Sequence, residues 1–543
     1  MTTIEESASG ASNDDDAARP VDTARPVDGA QPVEDTRGRW SRTALLAVVF
    51  VCAACGLVYE LALVSLGSFL IGNTATQASI VLAVMVFAMG IGSLAAKPLQ
   101  SHAVTTFAAI ELALALIGGL SVMALYAAFS YLSLYTPALV AVAFVLGLLI
   151  GAEIPLLMVL LQRIRRQDAG SAVADMFAVD YIGALVGGLC FPFLLLPLFG
   201  QLRGALVVGL VNAAAGCFLV FVVFRHDLGR TRGLVLGVVG VGVVATLIAG
   251  LVWADRFEVT ARQALFRDPI VAAERTPYQD IVITQRRTPV GPDTRLYLNG
   301  DLQFSSIDEY RYHESLVHPA LSGWHGKVLI LGGGDGLALR EVLTYPDVES
   351  ATLVELDPEM IRLARSDHRL RDLNRGSMDD PRSTVVSADA FSWLRDNRDR
   401  FDVIIVDMPD PDESATAKLY STEFYSLVRA HLADGGRAVV QAGSPYFAPH
   451  SFWCIDATLR AAGLATTPYH VDVPSFGDWG YLLAGTSKPA LRVDSPKPLR
   501  FLSRAELAAA AVFPADRPPI DVPPSTLMDP RILRYAQGEW SVY

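Results

Sequence analysis

Residues 327–336 read KVLILGGGDG. Four apolar residues, Val328 to Leu331, run straight into three glycines and an acid. A short unbroken apolar run stopped by glycine predicts a strand buried on both faces. The same texture recurs downstream. Helix LALREVLTY is followed by strand SATLVELD, helix PEMIRLAR, strand STVVSAD, helix AFSWLRD, strand FDVIIVD, helix TEFYSLVRAHL and strand GRAVVQAG. Strands alternating with helices predict a doubly wound, mostly parallel, Rossmann-like (methyltransferase-like) α/β sheet over 323–490. Such sheets bind ligands at the carboxyl ends of their strands, where the strand order reverses.

Those strand ends are acidic. The first ends in Gly332–Gly336, the second in Glu355 and Asp357, the third in Asp389 and the fourth in Asp407. Asp357, before Pro358, reads as a helix N-cap; capping does not account for four strand ends together. The glycine spacing is G-x-G-x-G, with Gly332 and Gly334 leading. Leu337 stands where a dinucleotide fingerprint needs a small residue, so the loop suits a nucleoside in a methyltransferase-like fold. Glu355 is placed to accept from ribose hydroxyls and Asp389 from an adenine amino group, which together suggest an adenosyl nucleoside. Asp335, inside the loop, would repel the carboxylate of S-adenosylmethionine and attract the terminal ammonium of the decarboxylated form. Two unit charges about 4 Å apart are worth about 4 kcal/mol at an effective dielectric near 20.

Upstream, YQDIVIT and TRLYLNGDLQFS read as strands with Asn299-Gly300 as a hairpin turn, and a helix is expected over about 308–321. Residues 257–322 thus form a small β-strand domain. Residues 491–543 are a proline-rich C-terminal tail with one short helix near 503–512. The chain has 543 residues, 52% hydrophobic and 18% charged, and a mean hydropathy of +0.37. The apolar excess lies in 43–256, a multi-pass α-helical membrane domain. About seven spans are expected, near 43–66, 76–96, 105–128, 137–160, 178–199, 204–224 and 233–254. Residues 1–42 read as a disordered acidic tail without a signal peptide. Basic residues (Arg37, Arg39, Arg42, Lys97, Arg163, Arg165, Arg166, Arg225, Arg230, Arg232) put the N-terminus in the cytoplasm. Seven spans would then put the C-terminal domain outside, in conflict with a donor made in the cytoplasm, where the catalytic domain is expected. Glu60, Glu111, Glu153, Asp175 and Asp180 lie in the spans. They read as interhelical hydrogen bonding or, for Asp175 and Asp180 especially, interfacial placement, with a path or site for a cation the other reading. Cys52 and Cys55 read as small packing residues. The net charge of −12 argues against nucleic acid as main partner and fits cationic ligands.

Four stretches resemble the spermidine synthases, the polyamine aminopropyltransferases, in their membrane-attached branch: YQDIV, LNGDLQFSSIDEYRYHESLVHPAL, VLILGGGDGLALREVL with VELD, and DVIIVDMPDP with LYSTEFY and VVQAGSP. The resemblance covers roughly 257–490. It implies an enzyme of the cell membrane, in contact with the lipid bilayer. That enzyme passes an aminopropyl group from decarboxylated S-adenosylmethionine, as co-substrate, to a primary amine, putrescine by default. The products are spermidine and methylthioadenosine; no cofactor and no metal are needed. It implies that Gln279, Glu355, Asp389 and Ala390 hold the nucleoside and methylthioadenosine, and that Asp335 and His313 bind amine portions. Tyr312 flanks the aminopropyl chain, Gln441 contacts the acceptor, Asp407 is the base and Asp410 binds an acceptor ammonium. A homodimer or higher homo-oligomer is implied as well. The sequence departs from the family's usual DP-x-GPA, reading DPDESATAK, and has Phe476 where PTYPSG carries Tyr. The competing readings are a methyltransferase using S-adenosylmethionine and a membrane polyamine transporter or sensor with a binding-only C-terminal domain.

Overall fold

The computed structural model describes residues 36–71, 74–132, 134–164, 169–289 and 291–540. The expected acidic tail lies outside the described residues as far as position 35. Residues 36–42 are already helical, the opening of α1 (Thr36–Ile71). Then follow α2 (Thr74–Ala95), α3 (Ala103–Ala127), α4 (Tyr135–Ile164), α5 (Ala169–Cys190), α6 (Leu196–Phe218) and α7 (Arg230–Leu265). Among the described residues, six helical segments are long and apolar enough to cross a membrane. One of them, Val173–Val223, has 51 residues, more than twice the roughly 20 that a crossing takes. Gly200, at φ 69°, breaks it near the start of α6, a conformation glycine adopts without steric cost. The expectation of seven spans counts these two arms separately.

Glycine contacts fix the helix directions. A Cβ on Gly147 or Gly151 of α4 would strike the backbone of Met85 or Met89, so α2 and α4 run parallel. Gly183 and Gly187 of α5 lie against Phe50 and Ala54 of α1 in the same sense. Gly118 meets Tyr59 and Glu111 meets Cys52, so α3 also runs with α1. Gly56 against Ile150 and Gly67 against Tyr135 make α4 antiparallel to α1. Gly209 against Ala115 and Gly216 against Glu111 make α6 antiparallel to α3, while Gly119 near Leu247 and Gly240 near Leu112 make α7 parallel to it. Small residues at these crossings let the backbones approach, the usual way helices pack in lipid. The first and seventh helices therefore point the same way. The chain leaves α7 at the end where α1 finishes, and there the Arg275 guanidinium sits 4.7 Å from the Phe69 ring centroid.

Two sheets follow. The first is antiparallel, in the order β1 (Ile270–Arg275), β2 (Asp280–Thr288), β3 (Gly291–Leu298), β4 (Asp301–Ser305). Leu298 pairs with Asp301. That leaves Asn299 (φ 53°) and Gly300 (φ 98°) as the two-residue turn whose positive φ values suit a twisted hairpin. Helix α8 (Glu309–Val317) leads to the second sheet: β5 (Lys327–Gly332), β6 (Ser350–Glu355), β7 (Ser383–Ser387), β8 (Phe401–Asp407), β9 (Leu432–Gln441), β10 (Ala465–Val473) and β11 (Gly477–Gly485). Its order is β10-β11-β9-β8-β5-β6-β7, with β5 to β9 parallel and the β10–β11 hairpin antiparallel. Val328 and Ile330 belong to one apolar cluster and Leu329 and Leu331 to the other. Both faces are covered, which is why the strand reads as an unbroken apolar run.

The C-terminal tail holds two helices, not one. Arg504–Ala510 lies in the expected place. Arg531–Trp540 was not expected. It is held by burial of Ile532 and Ala536 and by Glu539, whose carboxylate accepts from the backbone N–H groups of His450 and Ser451, each at 3.0 Å. Those donors open helix Pro449–Ala461, where an anion is favourable.

Candidate active site

The strand order reverses at β5, whose neighbours are β8 and β6. Gly332 pairs with Asp407 in register. Gly332, Gly333 and Gly336 have φ of 82°, 62° and 80°. A Cβ on Gly332 would lie 2.1 Å from the Asp407 carbonyl oxygen, and one on Gly334 would lie 2.5 Å from Glu355 Oε2. The glycines are needed because the loop is pressed between two acids. It leaves the strand edge open for a ligand to approach the backbone.

Asp407 ends β8 and is partly exposed. The Tyr312 hydroxyl donates to its Oδ1 at 2.6 Å. Enclosure by protein pushes the Asp407 carboxyl up to about 6; positive charge on His313 pulls it down and Asp335 pushes it up. Asp335 accepts from the Leu337 N–H at 2.9 Å and is itself raised, chiefly by enclosure. His313 is buried beside Tyr312 on α8, its Nδ1 2.9 Å from Glu309 Oε2. Burial works against the imidazolium, but the Glu309 carboxylate outweighs it and His313 is raised above its ordinary range. Arg340 grips Glu309 with two N–H donors at 3.0 and 2.9 Å. Burial of Glu309 is outweighed by these partners, and its carboxyl falls to about 2. Sequence reading missed Glu309 and Arg340; the only signal was the i,i+4 spacing of Glu309 and His313. Replacing Arg340 by Met removes one of the two cationic partners of the buried Glu309 carboxylate, the other being His313. We expect a loss of about 3–5 kcal/mol, read as a lower unfolding midpoint of the intact chain in detergent.

A second acid lies one loop further on. Gln441, at the end of β9, directs its side-chain N–H groups to Tyr420 Oη at 2.9 Å and toward Asp410 Oδ1 at 3.3 Å. Enclosure pushes the Asp410 carboxyl up to about 6, with Gln441 lowering it and Asp412 raising it. Asp301, the first residue of β4, stands within electrostatic range of Asp410, Asp412 and Glu413. Sequence reading missed Asp301 and Tyr420, whose positions only the packing of the small sheet and of the loop after β8 determines.

The remaining expected residues line the same edge on the far side of β5. Glu355 accepts from the Asp357 N–H at 2.9 Å, and enclosure pushes it up to about 7. Gln279 donates to Asp357 Oδ2 at 3.0 Å, and Asp357 caps the next helix through the Glu359 N–H at 3.0 Å. Glu355 pairs with Ser387, so Asp389 follows at the neighbouring strand end, with Ala390 buried behind it. Asp389 is not an idle acceptor. It caps its helix through the Ser392 N–H at 2.9 Å and takes the Lys418 ammonium at 2.8 Å. Enclosure would raise it, but these partners outweigh that and lower it. Lys418 is the last residue of the DPDESATAK stretch, and sequence spacing alone gave no reason to join it to Asp389.

Two groups thus lie along one edge of the sheet: Asp407, Tyr312, His313 and Asp335, with Asp410 and Gln441 beside them; and Glu355 with Gln279, followed by Asp389. Residues 309–495 match the family model described as the spermine/spermidine synthase domain. The chain is 62% identical over 516 residues to polyamine aminopropyltransferase 1 of Streptomyces coelicolor, covering 94% of this chain and 97% of that protein. It is 50% identical over 517 residues to the polyamine aminopropyltransferase of Mycobacterium tuberculosis, covering 92% and 97%. A solved spermidine synthase in complex with the transition state analogue AdoDATO is 29% identical, covering 45% of this chain and 85% of that one, at a TM-score of 0.42. With 62% identity carried through nearly the whole length of a curated relative, the chain belongs to the polyamine aminopropyltransferase (spermidine synthase) family, enzymes that act on small amines.

Proposed function

We propose that the chain transfers the aminopropyl group of decarboxylated S-adenosylmethionine to a primary amine, putrescine by default, yielding spermidine and methylthioadenosine. The carrying observation is the pair Asp335 and Asp407 at adjacent strand ends, whose described hydrogen bonds come from the neutral Leu337 N–H and Tyr312 hydroxyl. Two acids at one sheet edge suit one cationic donor and one cationic acceptor.

The roles follow the chemistry. Glu355, Gln279, Asp389 and Ala390, with Gly332 and Gly334, hold the nucleoside. Asp335, with His313 nearby, receives the donor's terminal ammonium, and Tyr312 flanks the aminopropyl chain. Asp410 and Gln441 hold the distal ammonium of the acceptor. Asp407 takes a proton from the attacking amine. The nitrogen lone pair then bonds to the methylene carbon beside the sulfonium, the C–S bond breaks, and its electron pair leaves sulfur neutral in the thioether. Base assistance of this kind is worth about 10²–10⁴-fold, and holding nitrogen and carbon about 3–3.5 Å apart adds to it. Phe476, 6.0 Å from the Tyr312 ring centroid, lines this side without a hydroxyl, so the acceptor pocket is more apolar than with tyrosine. The test is incubation with each sulfonium donor and putrescine. Methylthioadenosine and spermidine from the decarboxylated donor are expected; S-adenosylhomocysteine alone would sink the reading.

The apolar bundle is proposed to lie in the cell membrane, in contact with lipid, with the catalytic domain on the cytoplasmic side where the donor is made. Seven alternating helices then put the basic end of the bundle outside. A reporter active only in the cytoplasm, fused after Tyr543, is expected to be active; a silent fusion with an active periplasmic reporter would reverse the placement.

A further inference from the structure

Far from the catalytic cleft, four helices of the bundle converge on a buried polar cluster. Cys52 of α1, Glu111 of α3 and Glu153 of α4 each bring one ligand atom within 4.8 Å of the others. All three side chains are buried, Glu111 at 0% exposure. Asn212 of α6 donates to Glu111 Oε2 at 2.9 Å. Gly216 of α6 allows this approach: a Cβ there would lie 2.6 Å from Glu111 Cβ.

Arg203, the one Lys or Arg of α6, pairs with Asp255. No Lys or Arg occurs in 43–96, 98–162, 167–202, 204–224 or 233–255. Two carboxylates buried in apolar surroundings without a cation are very costly. A second observation points to a missing partner: Glu111 Oε1 is buried and has no hydrogen-bond partner, and so is the Tyr59 hydroxyl, two turns beyond Cys52 on the same face of α1. Glu111 is thus oriented by Asn212 through one oxygen while the other is left unsatisfied inside the cluster.

We propose that Cys52, Glu111 and Glu153 bind one divalent cation of the zinc class inside the helical bundle, with Asn212 orienting Glu111. The donor set, one thiolate sulfur and two carboxylate oxygens, suits a borderline-soft ion and not magnesium or calcium, which take oxygen alone. The geometry agrees. Cys52 Sγ lies 3.5 Å from Glu111 Oε2, so the sulfur and the carboxylate are already adjacent; Oε2 is held by Asn212, and the unpartnered Oε1 is the oxygen left for the ion. The ion would tie α1, α3 and α4 together and neutralise the buried acids. Glu111 does hydrogen-bond between helices, to Asn212 of α6 and Cys52 of α1, and the proposed ion would add to that role. Glu60 and Asp175, by contrast, lie outside the site.

The test uses the full chain in detergent, loaded with zinc, passed through a desalting column and assayed for metal by mass spectrometry. About one equivalent per chain is expected, unchanged in Glu60→Gln. It should be lost in Cys52→Ser and Glu153→Gln, and held about 10–100-fold more weakly in Asn212→Ala, as for other groups that orient a ligand. Monodisperse elution and aminopropyl transfer check that each variant is intact. Cobalt gives an independent reading in the unmutated chain: a thiolate-to-metal charge-transfer absorption is expected there. Zinc uptake no greater than in Glu153→Gln, or a cobalt complex without the thiolate absorption, would overturn the proposal. The first result would mean the two carboxyls share protons instead.

Discussion

Asp407→Asn is expected to lower kcat by about 10²–10⁴-fold, the usual contribution of a positioned base, while leaving donor binding near its original strength. The asparagine keeps the shape and still accepts from the Tyr312 hydroxyl, which in the native chain lies 2.6 Å from Asp407 Oδ1; it cannot take the acceptor's proton. Steady-state turnover and equilibrium donor binding on the same preparation separate these effects. The pH profile adds a second reading. A base works only when ionised, and Asp407 is pushed up to about 6, so kcat/KM should fall on the acid side of about pH 6. Asp410 is also pushed up to about 6 and must be ionised to hold an ammonium, so the native acid limb should be steeper than one titration, approaching about a hundredfold per unit. In Asp407→Asn one of the two titrations is gone and the limb should become shallower. Unchanged turnover in this variant would remove Asp407 as the base.

Asp335→Asn is expected to have the second largest effect, and on donor choice more than on turnover. At about 4 Å and an effective dielectric near 20, a carboxylate–ammonium contact is worth about 4 kcal/mol, so kcat/KM for the decarboxylated donor should fall by up to about a thousandfold. Partial exposure of Asp335 screens some of this. Removing the negative charge also removes the repulsion of a donor carboxylate, so S-adenosylmethionine should compete better in the variant. Competition measured as inhibition of methylthioadenosine formation reads that change. An Asp335→Asn enzyme with the same donor preference would place the discriminating charge elsewhere.

The central sheet was legible because its strands are covered on both faces. Burial on two sides makes each strand an unbroken apolar run, as at Val328–Leu331, and the acids at the strand ends stand out against it. The hairpin at Asn299-Gly300 was legible for a different reason: the turn needs positive φ at both residues, and few pairs supply it. Helix Arg531–Trp540 was not legible. Its ten residues follow a long proline-rich stretch, and what holds them, burial of Ile532 and Ala536 and the Glu539 bonds to His450 and Ser451, involves partners far away in sequence.

The same division runs through the candidate site and the bundle. The sequence by itself determined which acids end which strands, because position along a strand is local information. It also determined the glycine loop, because only glycine tolerates its backbone. Which groups meet those acids was decided by the tertiary structure alone. Tyr312 reaches Asp407 across 95 residues, Lys418 reaches Asp389 across 29 and Arg340 reaches Glu309 across 31. In the bundle, Cys52 and Glu111 are 59 residues apart and look like unrelated polar exceptions in two apolar spans. Their meeting depends on the rotation of each helix about its axis. That rotation is set by close packing at Gly118 and Gly216 rather than by the composition of any one span. Periodicity records which residues avoid water or lipid; it does not record which of them share an interior point.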